Sequence, residues 1–250
     1  MKRTVLDNDL QELNAQVIHL GTLVEHALSL ALKALEESDQ EKAGAVVVDD
    51  NTIDDLHLTI EEHALRILTL QQPLGGRDLR YLSSITPIAI DLERIGDEAE
   101  DIAQNVLHII PDLKPHVDGM SEISKGRDYE LNELALIRRL LGLGGGVHLV
   151  LTRTMKAFEE RDAQAARAIW EEDRVVDHRH YVIQRDLMEM LEEKKAIPAL
   201  VYDRQVLQRV TYLLRIAHEL ERTSDHCTNI CERIVFIVEG ATEIAAMPGD

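Results

Sequence analysis

Cysteine, aromatic side chains and positive charge are all scarce in this chain, and each shortage excludes something. Its two cysteines, Cys227 and Cys231, lie four residues apart. On one helix that spacing suits reduced thiols in a core better than a disulfide, as in a cytosolic protein. Aromatics make up 3% of the residues, and Gly and Pro gather in a few places. Ala, Leu, Ile, Glu and Val dominate instead, the composition of long packed helices rather than of sheets. Lys and Arg total 27 against 46 Asp and Glu, a net charge of −19. Such a surface repels nucleic acid and anionic lipid headgroups, and attracts cations or a basic patch on a protein. The least polar run, Leu140 to Leu151, reads as too short to cross a bilayer, and the first residues lack the apolar segment of a secretory signal. The expectation is therefore a cytoplasmic protein with no direct membrane insertion. Catalytic signatures are missing too: Gly-x-Ser-x-Gly, His-Glu-x-x-His and Cys-x-x-Cys do not occur.

What is present is helical periodicity. With 45% hydrophobic residues in 250, the chain can bury one large core or two modest ones. Leu6, Leu10, Leu13, Val17, Leu20, Val24, Ala27, Ala31 and Leu35 step by threes and fours, a heptad seam. This predicts a first helix ending near Ser38 or Asp39, either of which can cap the next. A second runs from about Lys42 to Gln72 and is stopped by Pro73 and Gly75-Gly76. A third should extend from Asp78 to about Ile110, where Pro111 and Pro115 end it; Pro87 either kinks it or marks a late start. Three long helices with short turns read as an antiparallel three-helix bundle.

The second half repeats the first. Ala34-Leu-Glu-Glu-Ser-Asp39 returns as Ala157-Phe-Glu-Glu-Arg-Asp162, a shift of 123 that also carries Asp50 to Asp173, Asp54 to Asp177 and His57 to His180. Leu92-Glu-Arg-Ile-Gly-Asp97 returns as Leu220-Glu-Arg-Thr-Ser-Asp225, a shift of 128. The fold class expected is all-α: two tandem antiparallel three-helix bundles related by pseudo-twofold symmetry, at residues 1–118 and 119–250. One segment fits badly. Leu141-Gly-Leu-Gly-Gly-Gly-Val-His148 falls where the fourth helix belongs. A phosphate-binding loop would also need Gly-Lys-Ser/Thr, which is missing, so a broken or bent helix is expected.

The pairs Asp50/Asp54, Glu93/Asp97, Asp173/Asp177 and Glu221/Asp225 each place two carboxylates on one helical face. With 46 acids present, chance alone would give about eight such pairs on a solvated surface, so a single pair means little. Recurrence of both pairs in both halves carries more weight. Facing carboxylates destabilise a fold unless something neutralises them. Hard cations with oxygen ligands do so, and iron or zinc would fit where a histidine joins. His57 and His180, three residues after Asp54 and Asp177, come close to the Glu-x-x-His of di-iron bundles. A di-iron carboxylate enzyme or metal-storage bundle is thus the rival reading.

The two repeated motifs, with Gln71-Gln-Pro73 and Asp78-Leu-Arg80, resemble the PhoU family from about Leu10 to Gly240. The resemblance implies a non-enzymatic, metal-binding cytoplasmic regulator of phosphate uptake and a negative regulator of the phosphate-starvation response. It implies contact with the ATPase subunit of a phosphate ABC transporter and with a sensor histidine kinase, and a homodimer is expected. It implies metal ions, iron or zinc ahead of magnesium or manganese, held by Asp50, Asp54, Glu93, Asp97, Asp173, Asp177, Glu221 and Asp225. The chain departs from the family pattern in three places. Thr223-Ser224 replace Ile-Gly, Asp101 replaces Asn and adds a carboxylate to the first site, and 131–147 is longer and richer in glycine.

Overall fold

The computed structural model describes residues 2–71, 73–113, 126–192 and 204–240, with side chains for 4–71, 73–110, 135–174, 176, 178–185 and 208–240. The described residues form six helices: α1 (Lys2–Glu37), α2 (Gln40–Leu70), α3 (Gly76–Leu113), α4 (Gly126–Glu160), α5 (Ala163–Glu192) and α6 (Arg204–Glu239). Among the described residues there is no strand. The expected all-α class is correct. The proposed division at residue 118 lies outside the described residues.

Two helices are continuous where the sequence left room for an interruption. α3 begins at Gly76, close to the expected Asp78, and continues through Pro87, so the late start does not occur. α4 is unbroken through its glycines, which corrects the expected break. The reason lies in packing. A Cβ built at Gly144 would stand 2.4 Å from Leu32 Cδ2, so this position must be bare for α1 to lie against α4. The same occurs in reverse at Gly21, where a Cβ would stand 2.3 Å from Met155 Cε. The repeat shift of 123 takes Gly21 to Gly144 and Leu32 to Met155. Each half thus pushes one long side chain into the notch of the other, the reciprocity of a twofold interface. Leu140, Leu143, Val147 and Leu151 are buried around the notch and hold the helix in place despite its weak propensity.

Within each half the three helices touch one another; between halves the contacts are α3 with α6 and α1 with α4. α2 and α5 therefore lie on the outer sides. On α2 the buried residues Val46, Ile53, Ile60 and Ile67 recur every seven positions, a single stripe. α3 must serve α1, α2 and α6 at once, and it buries residues on most of its circumference, from Leu82 to Ile110. α1 and α4 each contain a stretch long and apolar enough, by length and composition, to cross a membrane, more than the sequence reading allowed. Here those stretches supply Leu13, Val17, Leu20, Val24, Leu140 and Val147 to the core.

The first turn of each half is built alike. Ser38 (φ 52°) and Arg161 (φ 54°) adopt the left-handed conformation, and the next residue donates back to Ala34 or Ala157. Asp39 and Asp162 then accept from the first free amides of α2 and α5.

At the α3–α6 seam, Glu98 is almost fully buried. Thr223 Oγ1 donates to its Oε2 at 3.0 Å, His226 Nε2 lies 3.2 Å from its Oε1, and Arg222 Nε lies 3.4 Å away. His226 Nδ1 also meets Asp91 Oδ1 at 2.8 Å. Hydrogen bonds to Asp91, then to Glu98, push the His226 imidazolium up to about 9.

Two measurements follow from this packing. Gly145, where an added Cβ meets nothing within 4 Å, should accept Ala with a gain of up to about 1 kcal/mol in urea denaturation. Gly144→Ala should show no such gain, because Leu32 must move. For His226, the folded pKa is above the unfolded one, so its stabilisation is complete below about pH 6.5 and is lost as pH rises through about 9. Subtracting His226→Gln from the parent stability at each pH should reproduce that decline; a difference that stays level with pH would contradict it.

Candidate metal centre

Gly96 sets the distance between α2 and α3. A Cβ there would lie 3.0 Å from Ile53 Cγ2 and 3.5 Å from Asp50 Oδ1. With no side chain in the way, Asp50 and Asp54 from α2 meet Asp97 from α3, and one carboxylate oxygen of each lies within 4.8 Å of the others. Asp50 Oδ1 is buried and has no hydrogen-bond partner in the protein. An acceptor buried without a donor is costly, and a cation would satisfy it.

The charges register this crowding. Burial pushes Asp50 up to about 7, helped by Asp54, Glu100, Asp97 and Glu93. Burial is also the first cause raising Glu93 and Asp97. Arg94 opposes both shifts, lying 3.6 Å from Glu93 and 3.2 Å from Asp97. His57 faces Glu93 closely enough for its charge to act on that carboxylate, and its Nε2 lies 3.7 Å from Glu61. Asp101, one turn beyond Asp97, is exposed; its charge raises Asp97, but it is not one of the three convergent carboxylates. Three carboxylates with an unsatisfied buried oxygen form a donor set suited to a divalent cation, with Glu93 at its edge.

The second half is different. Asp173, the counterpart of Asp50, accepts a 2.7 Å hydrogen bond from Ser224 Oγ. Ser224 occupies the place of Gly96, so a hydroxyl fills the gap that the first half leaves open. Asp225 is exposed, and the side chain of Asp177 lies outside the described residues. Glu221 joins instead with His180 and His218, one ligand atom of each lying within 4.8 Å of the others. Sequence reasoning passed over His218, because its first-half counterpart is Ile90 and the repeat gave no cue. His218-x-x-Glu221 on one helical face was the available signal.

A separate cavity of about 510 Å³ lies between α4 and α5, beside Gly142, with Arg139, His178, Arg179 and Arg185 around it. None of Asp50, Asp54, Asp97, His180, His218 and Glu221 lines it.

Two copies of one three-helix unit, joined through α1–α4 and α3–α6 and carrying an acid-lined outer helix pair, define a tandem-repeat helical protein. The chain belongs to the PhoU family: the PhoU domain model matches it twice, at residues 17–106 and 140–234. It is 30% identical to the phosphate-specific transport system accessory protein PhoU of Escherichia coli K12, over 93% of this chain and 84% of that protein. It is 26% identical to a PhoU homolog of Clostridium acetobutylicum, over 96% and 97% of the two chains. The crystal structure of the phosphate transport system regulatory protein PhoU from Streptococcus pneumoniae superposes with a TM-score of 0.76 at 28% identity, covering 95% of this chain and 99% of that one.

Asp50 gives a pH test on chelator-treated protein. Its folded pKa of about 7 exceeds the ordinary 3.8, so the folded state binds more protons between these values. Its contribution to stability should therefore fall as pH rises from about 4 to 7 and level off above. Asp50→Asn should remove this slope, and its advantage over the parent should grow across the same window. Parallel stability curves for the two proteins would contradict the assignment.

Proposed function

We propose that this chain is a non-enzymatic, metal-binding accessory protein that regulates phosphate transport. In this reading it acts in the cytoplasm as a homodimer, contacts the transporter's ATPase subunit and a sensor histidine kinase, and holds the phosphate-starvation response down. The observation that carries the reading is the tandem PhoU match over both halves, in register with the convergence of Asp50, Asp54 and Asp97. The relatives named as accessory or regulatory proteins of phosphate transport support the role. The net charge of −19 favours basic protein surfaces and cations as partners.

The di-iron reading would place its ligands inside a bundle, with room for oxygen. Here the bundle interior is filled by Leu, Ile, Val and Ala, and Glu93, Asp97 and Asp50 lie only half-buried on the flank of α2 and α3. That arrangement supports a cation that bridges two helices. All-oxygen ligation admits magnesium, manganese or calcium, and His57 beside Glu93 leaves iron and zinc in contention.

Metal analysis tests the ligand set. Asp97→Asn should lower divalent affinity of the first half by at least about tenfold, since losing a direct ligand costs no less than losing an outer-sphere partner. Its far-ultraviolet circular dichroism should be unchanged. Undiminished metal after dialysis would reduce this face to solvated acid. The partner reading is tested separately, by a pull-down from phosphate-replete cells probed for the transporter ATPase and the sensor kinase.

A further inference from the structure

We propose that the cavity between α4 and α5 binds a small organic phosphate, a phosphate monoester carried on an apolar body. Its lining shares no residue with the clusters at Asp50 and His218, and the proposal does not rest on either of them binding metal.

The cavity, about 510 Å³, is of the size that encloses a small molecule. Its lining has two characters. Leu143 and Ile183 supply a buried apolar base, while Arg139, Arg179, Arg185 and His178 supply polar nitrogens. No Asp or Glu lines it among the described residues, although 46 of the 250 residues in the chain are acidic. Three guanidinium groups around one cavity are therefore a local reversal of a net charge of −19. Arg139 and Arg185 engage other groups of the protein as well. Arg179 is placed by glycine. A Cβ at Gly146 would stand 3.2 Å from Arg179 Nη1, so the guanidinium lies close against the backbone of α4. One turn earlier, a Cβ at Gly142 would meet nothing within 4 Å, and the bare position leaves that space open.

Comparison of the halves argues that this is more than a packing gap. The shift of 123 carries Arg139, Gly142, His178, Arg179 and Arg185 back to Gln16, His19, Asp55, Leu56 and Glu62. Gln16 there is tied to His63 across α1 and α2 at 2.8 Å. Leu143 and Ile183 correspond to Leu20 and Ile60, buried in both halves. The repeats thus share the apolar base and differ in the cationic rim and the open backbone, the parts a ligand would meet. Guanidinium forks match phosphate oxygens two at a time, and a doubly charged head can engage more than one of them. Inorganic phosphate would leave the apolar base unused.

The test uses the full chain, treated with chelator so that no bound cation bridges to phosphate, and reads binding by calorimetry at about 0.15 M salt. Two probes carry the same head on different bodies: AMP, and octyl phosphate below its micellar concentration. They distinguish a nucleotide from a lipid-derived phosphate. At least one should bind once per chain, at least about tenfold more tightly than inorganic phosphate, because its body covers apolar surface. Arg179→Gln should weaken that binding by at least about tenfold. Gly142→Leu, which fills the open space with a better helix former, should abolish it without loss of thermal stability or helical content. Binding of neither probe, or inorganic phosphate binding as tightly as the esters, would overturn the proposal. Affinity unaltered by Gly142→Leu would also overturn it, since it would mean diffuse attraction to surface arginines rather than a cavity site.

Discussion

Glu98 is buried between α3 and α6, and a carboxylate in that position must be paired. The shift of 128 makes His226 its counterpart in the other half, so the pair sits where the two repeats meet themselves. Two identical halves would set carboxylate against carboxylate or imidazole against imidazole there. The single chain places one of each, and the like-charge conflict becomes an ion pair. Thr223 and Arg222 complete the coordination of Glu98 from the same helix. Breaking one partner of such a set leaves the other charge buried, which costs far more than the pair contributes net. The seam is therefore better understood as fixing register than as supplying stability.

The divergence of the two outer faces follows from that register. Because Arg222 is needed at Glu98, it is not available to Glu221, whereas Arg94 remains with Glu93 and Asp97. Because Thr223 and Ser224 replace Ile95 and Gly96, one hydroxyl serves the seam and the next serves Asp173. Gly96 instead lets α2 close on α3 and leaves Asp50 Oδ1 without a donor. One substituted dipeptide thus separates an oxygen-lined cluster in the first half from a histidine-lined one in the second.

Most of the architecture was legible because helices announce themselves by period, and a repeat confirms each reading twice. The carboxylates of α2 and α3 were legible for the same reason: four-residue spacing puts them on one face and the repeat singles them out. Symmetry also concealed things. His218 has no histidine counterpart, so a search for what recurs could not find it. The glycines of α4 read as a defect because propensity counts only the helix's own backbone; Gly144 is the notch for Leu32, and that contact spans the two halves. Pro87 was ambiguous for a similar reason, since the packing of α3 on three neighbours overrides one missing hydrogen bond.

α3 belongs to both systems at once. One face carries Glu98 at the seam, and another carries Glu93 and Asp97 toward α2. A cation shared by α2 and α3 would neutralise carboxylates that otherwise push those helices apart, and α3 could not move against α2 without dragging Glu98 against α6. Local charge at the outer face is in this way mechanically tied to the contact between halves. The same ion would also lower the negative potential of that face, the property that decides which surfaces an acidic protein attracts or repels. For a protein of net charge −19, a cation bound between α2 and α3 would therefore bear on stability and on surface potential through one and the same set of carboxylates.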